Sequence, residues 1–340
     1  MVKIALIGFG NVGKSFTRIL VNRVTELNKL GLEPCVIGIL ASRGGLINDE
    51  CIGSRALIDL TNKGVYSAPN FKTIELRDLI NLKPDVAVVS IPPSYHTGEP
   101  NLTIYRLLIS EGISVITADK TGLALAYGEL INEARNKRVY LGFTATVMAG
   151  TPVIQLLKGL RGRIIKNIEG VLNATSNYVL TLVENGLTMS EAIKRAIEEK
   201  IAEPDPAIDL GGLDAAAKAT ILANVMGINA SLRDADVQSM LNLKDDYIKE
   251  SARKGIRIKQ VASVDLTRRL ISVKPMEVPA SSVIGSITGN YNALIIKLND
   301  GKEITVIGPT GPAEATAEVM FSDLLEYADS CLTMGKRIKG

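Results

Sequence analysis

Val2-Lys3-Ile4-Ala5-Leu6-Ile7-Gly8-Phe9-Gly10-Asn11-Val12-Gly13, followed by Phe16, Ile19, Leu20, Val24 and Leu27, is the stretch that decides the fold class. Val2 to Ile7 is apolar except for Lys3, the pattern of a strand buried on both faces. The apolar residues after Gly13 recur at helical spacing. A Gly-x-Gly-x-x-Gly pattern between a strand and a helix is the arrangement that binds a dinucleotide. Gly8 permits the tight turn, Gly10 lets backbone approach a pyrophosphate, and Gly13 lets helix and strand pack closely. The amides of Asn11 and Val12 then face the phosphates at the positive end of the helix dipole.

The competing reading is a glycine-rich turn with no ligand, and the rest of the first half weighs against it. Strand-like runs recur at Cys35–Ala41, Asp85–Ile91, Ser114–Thr117 and Arg138–Phe143, with helix-compatible segments between most of them. That alternation predicts an α/β fold with a Rossmann-type, doubly wound parallel sheet. An acidic residue ending the second strand would bind a ribose 2′-hydroxyl and favour NAD. Ala41-Ser42-Arg43 stands there instead, and Glu33 precedes the strand, at its wrong edge. The guanidinium of Arg43 suits a 2′-phosphate, so the residues favour NADP, with NAD as the alternative and a solvated loop arginine as the plain reading. Ser90 closes the fourth strand, where the nicotinamide ribose passes in such folds. Lys120 follows the fifth strand on the ligand side of the sheet. His96, the sole histidine, sits in the turn-rich run Ser94-Tyr95-His96-Thr97-Gly98, and catalysis is its lesser reading.

Composition bounds the remaining classes. A chain of 340 residues, 46% hydrophobic and 22% charged, fits two globular domains. Thirty-nine basic and 36 acidic residues are interspersed and leave a net charge of +3, which argues against a nucleic acid partner. No run approaches the roughly 18 apolar residues of a membrane span, and Met1-Val2-Lys3 leads straight into a strand rather than a signal peptide. Cys35, Cys51 and Cys331, odd in number and far apart in sequence, read as unpaired thiols of a reducing cytoplasm with no catalytic role.

After Thr146-Val147-Met148-Ala149-Gly150-Thr151-Pro152 the βα rhythm changes, placing a second, α+β domain at 146–309 and the first at 1–145 with 310–340. Ile165–Val171 reads as a strand leading into Leu172-Asn173-Ala174-Thr175-Ser176-Asn177-Tyr178. Thr188 and Glu191 form a capping box. Ala202-Glu203-Pro204-Asp205-Pro206-Ala207-Ile208-Asp209-Leu210-Gly211-Gly212 begins as an irregular loop, and an alanine-rich helix starts at Leu213. Asp214 and Lys218 are four apart on that helix, hence on one face. The plain reading is a surface ion pair. Glu203, Asp205 and Asp209 crowd the preceding loop, a clustering of like charge that a cation such as a substrate ammonium group would offset.

These motifs resemble homoserine dehydrogenase. The resemblance is carried by Gly170, Asn173-Ala174-Thr175-Ser176-Asn177-Tyr178, Ala202-Glu203-Pro204-Asp205-Pro206 and Gly212-Leu213-Asp214-Ala215-Ala216-Ala217-Lys218. Gly98-Glu99-Pro100, Thr117-Ala118-Asp119-Lys120 and Gly308-Pro309-Thr310-Gly311 extend it along the chain. It implies NAD(P)-linked interconversion of L-homoserine and L-aspartate 4-semialdehyde, on the route to threonine, methionine and isoleucine. It implies that Lys218 and Lys120, from separate domains, converge on the substrate hydroxyl and handle its proton. Glu203 and Asp209 would hold the ammonium and hydroxyl ends, Ala174 and Thr175 would border the substrate, and Asp214 would orient Lys218. A sodium ion held by carbonyls of Val147, Ala149 and Thr151, and a homodimer, are also implied.

Four positions depart from the family pattern: Ala174 for glycine, Ile201 for tyrosine, Asp119 for asparagine beside Lys120, and Thr144 for the acidic sodium ligand. No kinase precedes the first strand and no regulatory module follows the last helix, Ala315–Ala328, so feedback through an appended domain is not expected. Two other readings remain: a non-catalytic NADP-binding regulator, and a semialdehyde dehydrogenase, which needs a nucleophilic thiolate.

Overall fold

The computed structural model describes residues 1–203, 205–309 and 311–333. The chain divides into two compact units, residues 1–150 together with the segment from 311 onward, and residues 151–310.

The first unit is built on six strands: β1 (Val2–Ile7), β2 (Pro34–Ala41), β3 (Gly44–Ile47), β4 (Val86–Val89), β5 (Ser114–Thr117) and β6 (Leu141–Gly142). Their order is β3-β2-β1-β4-β5-β6, parallel throughout except at the β2–β3 edge. The direction of winding reverses between β1 and β4, which makes the carboxyl ends of those two strands the topological switch point. The apolar run of β1 follows from burial on both faces. Ile4 and Leu6 join one core with Phe16, Leu20, Phe321 and Leu324, whereas Ala5 and Ile7 join another with Tyr105, Leu108 and Val115. Helix Ala313–Thr333 packs against helix Asn11–Asn22, and the Arg23 guanidinium lies 4.6 Å from the Phe321 ring centre.

Two expected strands are shorter than the sequence suggests. Of Arg138–Phe143 only Leu141–Gly142 pairs, because Arg138 takes a left-handed conformation (φ 56°) to end helix Tyr127–Lys137. Of Asp85–Ile91 only Val86–Val89 pairs. The hairpin partner β3 was not anticipated. The expectation of three unpaired thiols is overturned: Cys35 on β2 and Cys51 form a disulfide, with Cα atoms 5.2 Å apart. The chain after β3 returns alongside β2, where the Ile52 amide donates to the Val36 carbonyl at 2.8 Å, and sequence distance concealed that return. The ground that free thiols offered for a reducing compartment is thereby removed. Cys331, expected past the last helix, is buried within it.

The second unit holds β7 (Ile165–Val171), β8 (Asp236–Val237), β9 (Ile256–Asp265), β10 (Leu270–Pro279), β11 (Tyr291–Leu298) and β12 (Glu303–Pro309), in the order β12-β11-β7-β9-β10-β8. Adjacent pairs are antiparallel except β10–β8. Helix Leu213–Val225 packs on β9 and β10. It is apolar around nearly its whole circumference, and most of its residues are buried. Among the described residues no helix is long and apolar enough to cross a membrane.

Candidate active site

The glycine turn lies at the switch point of the first sheet. Gly8 has φ 91°, and a Cβ there would stand 2.4 Å from the Ser90 carbonyl oxygen, so only glycine fits. The Ser90 hydroxyl donates to the Gly8 carbonyl at 3.0 Å, joining the ends of β4 and β1. Gly13 would meet the Gly8 carbonyl at 2.4 Å if it carried a Cβ, whereas a Cβ on Gly10 would meet nothing. Packing within the protein therefore requires glycine at positions 8 and 13. The open space at Gly10 leaves backbone free for approach by a ligand. Helix Asn11–Asn22 begins there with no acidic residue in its first turn, so the amides of Asn11 and Val12 meet no local competing charge.

Ser42 and Arg43 form the two-residue tip of the β2–β3 hairpin, since Ala41 pairs with Gly44. The Gly8 amide donates to the Leu40 carbonyl at 2.8 Å, which places this tip beside the glycine turn. The Arg43 guanidinium lies 4.2 Å from the Tyr66 ring centre, and the Ser42 and Tyr66 hydroxyls are 2.9 Å apart. Sequence reasoning did not include Tyr66, which lies 23 residues beyond Arg43 with no motif around it.

Lys120 caps the short helix Thr121–Leu125 at the end of β5. The negative charge of Asp119 beside it, a departure from the family pattern, is turned into the protein. That carboxylate is 3% exposed and accepts hydrogen bonds from Asn101 Nδ2, the Tyr105 hydroxyl, and both the amide and hydroxyl of Thr121. Burial, followed by the charge of Asp119, pushes the Tyr105 phenol well above its ordinary value, so it stays protonated and can donate to the carboxylate. His96 is exposed.

In the second unit the structure brings Asn173, Asp209, Asp214 and Lys218 together. Strand β7 delivers Leu172 and Asn173 to the start of helix Ala174–Glu184, where the Asn173 side chain caps the helix by accepting from the Ser176 amide. Gly212, at φ 92°, starts helix Leu213–Val225, and a Cβ there would stand 2.9 Å from Val237 Cγ1. Lys218 Nζ lies 2.6 Å from Asp214 Oδ2 and donates to the Leu172 carbonyl at 2.7 Å. With both side chains only 12% exposed, this is no surface pair. Asn173 Nδ2 donates to Asp209 Oδ1 at 2.6 Å and to Asp214 Oδ2 at 2.9 Å.

Ala174 and Thr175 are the first residues of the helix that Asn173 caps, and the Thr175 hydroxyl donates to the Ile201 carbonyl. Glu203 is exposed, outside this hydrogen-bonded group. Asp205 instead accepts from the Ala207 amide and shapes the loop. Pro204 and Thr310, which carried part of the family resemblance, lie outside the described residues. Sequence reasoning placed Asn173 only in the motif and gave it no role in the site. Its helix-capping position was the available signal.

Residues 152–325 match the family model for homoserine dehydrogenase. A homoserine dehydrogenase from Sulfurisphaera tokodaii is 36% identical over 97% of this chain and the whole of that protein. One from Methanocaldococcus jannaschii is 34% identical over 96% of this chain and 98% of its own length. A solved hyperthermophilic archaeal homoserine dehydrogenase in complex with NADPH superposes with a TM-score of 0.82 at 29% identity, covering 97% of this chain and 98% of that one. The chain belongs to the homoserine dehydrogenase family.

Proposed function

We propose that the chain interconverts L-homoserine and L-aspartate 4-semialdehyde with NADP, and that Lys218 and Lys120 handle the substrate's hydroxyl proton. Bound NADP supplies or takes the hydride. Removing a hydride from an alcohol carbon requires that the hydroxyl proton leave as well. The observation that carries the reading is the fixation of Lys218 Nζ between Asp214 Oδ2 and the Leu172 carbonyl. Two of the three ammonium hydrogens are thereby taken by the protein. The third would be given to the semialdehyde oxygen in the reducing direction, and in the oxidising direction the neutral amine would take the hydroxyl proton.

Asp214 orients Lys218, Asp209 and Glu203 hold the substrate's polar ends, and Ala174 and Thr175 border it. Gly8, Gly10, Asn11, Val12 and Gly13 cradle the pyrophosphate, and Ser90 and Lys120 lie toward the nicotinamide end. NADP is preferred over NAD because the β2–β3 hairpin tip carries Arg43 and Ser42 and no carboxylate. A sodium ion bound by Val147, Ala149 and Thr151 does not fit this chain well. Its acidic ligand is replaced by Thr144, whose amide and hydroxyl both donate to the buried Asp323, so no step is routed through a metal. Exposed Leu270, Met276 and Ile307 on the second unit favour association into a homodimer.

The disulfide at Cys51 and the burial of Cys331 weigh against a semialdehyde dehydrogenase, since no exposed thiol stands among the described residues. The test is turnover of L-homoserine with NADP and with NAD, followed by the appearance of reduced cofactor. Steady reduction with NADP the preferred cofactor supports the proposal. Cofactor binding without reduction favours a non-catalytic regulator.

A further inference from the structure

We infer that Asn173 is a positioning residue for this site, in which a single amide group sets the spacing of Asp209 and Asp214 and so aims Lys218. The inference rests on the reading of Lys218 as the acid–base group. It stands on the geometry of one buried side chain. Asn173 is 4% exposed, and each of its side-chain hydrogen-bonding groups has a separate task. Its Oδ1 accepts from the Ser176 amide at 2.8 Å and caps the helix. Its Nδ2 donates one hydrogen to Asp209 at 2.6 Å and one to Asp214 at 2.9 Å. The two carboxylates therefore converge on one nitrogen. Without that donor they would repel each other across a poorly solvated gap.

The neighbouring residue completes the device. The Leu172 carbonyl accepts from Lys218 Nζ, while Asp214 Oδ2 takes both the Asn173 amide and Lys218. The two residues that follow β7 thus hold both members of the Asp214–Lys218 pair. No other side chain of this size can do both jobs. Aspartate and serine cap a helix equally well, but aspartate offers no donor at neutral pH and serine offers one hydrogen instead of two. The capping role can therefore be kept while the bridging role is removed.

The experiment compares wild type, Asn173→Ser and Asn173→Asp in the full-length protein, by melting temperature, NADP affinity and the pH profile of kcat/KM for L-homoserine. Asn173→Ser should keep the helix cap and the NADP affinity, while the repulsion left between Asp209 and Asp214 should lower the melting temperature. Its kcat/KM should fall by about 10- to 100-fold, the range of a lost hydrogen bond to a charged group. Carboxylates that lose a donor become more basic, so the acid limb of the profile should move to higher pH. Asn173→Asp should lose more activity at neutral pH and regain part of it at lower pH, where the introduced carboxyl group is protonated and can donate again.

Wild-type kcat/KM with an unmoved acid limb in Asn173→Ser overturns the inference. Should that variant fail to fold, Asn173→Asp decides: a loss of activity with no recovery on acidification overturns it. The underlying reading fails separately, if Lys218→Ala keeps wild-type turnover.

Discussion

The hydroxyl of Tyr105 donates to the Asp119 carboxylate at 2.9 Å, inside the first sheet's core and one residue before Lys120. Each carboxylate oxygen takes two donors: Oδ2 from Asn101 and Tyr105, and Oδ1 from the amide and hydroxyl of Thr121. This network ties the N-terminus of helix Asn101–Ser110 to the turn that carries Lys120. Asparagine, the usual family residue here, has one oxygen and one amide nitrogen. In this chain the nitrogen would face two donors. Asp119→Asn should therefore lower stability by about 1–3 kcal/mol, the cost of leaving a buried donor unmatched. Denaturant unfolding of the variant checks it, and an unchanged midpoint would show that the network can rearrange freely.

Lys218→Ala removes the amine held between Asp214 and Leu172. Loss of general acid–base assistance should lower kcat by about 100- to 10,000-fold. NADP affinity should stay near wild type, because the glycine turn and hairpin tip belong to the other unit. Steady-state kinetics together with cofactor titration read both quantities. Near-normal turnover would remove Lys218 from the chemistry.

Arg43→Ala should weaken NADP by about 10- to 100-fold, as expected for charge-assisted hydrogen bonds to a phosphate. NAD, which lacks that phosphate, should bind nearly as before. Tyr66→Ala removes the ring beneath the guanidinium and the hydroxyl beside Ser42, but leaves Arg43 itself in place. An exposed cation–π contact of about 0.5–1 kcal/mol predicts a smaller loss of NADP affinity, roughly two- to fivefold. Equal weakening of NADP and NAD in the Arg43 variant would contradict the 2′-phosphate assignment.

Lys259 offers a pH test. It lies fully buried on β9, donates to Asn177 Oδ1 at 2.9 Å, and shares its surroundings with Arg257 and Glu184. Burial lowers its pKa from 10.5 to about 8, with Arg257 adding to the shift and Glu184 opposing it. A lysine depressed in the folded state holds fewer protons than the unfolded chain between those two values. Its contribution to stability must therefore rise as pH increases from about 8 to 10.5, by as much as about 3 kcal/mol. Lys259→Met should remove that rise. Unfolding free energies of both proteins across this range give the comparison, and identical slopes would reject the assignment.

The strand–glycine–helix opening, the strand at Ile165–Val171 and the helix starting at Leu213 were all legible in the sequence, because each is specified by local periodicity and turn chemistry. Lys218 and Asp214 could be placed on one helix face from their spacing alone. The sequence could not show that Asn173 bridges Asp209 and Asp214, which follow it by 36 and 41 positions. It could not pair Cys35 with Cys51 or turn Asp119 inward, and it could not bury Lys259 beneath a helix. Those outcomes depend on which segments become neighbours when strands and helices pack, and long-range proximity of that kind leaves no periodic trace along the chain. Local backbone preference determined the elements of this protein; burial and hydrogen-bond satisfaction in the folded state decided which polar side chains meet.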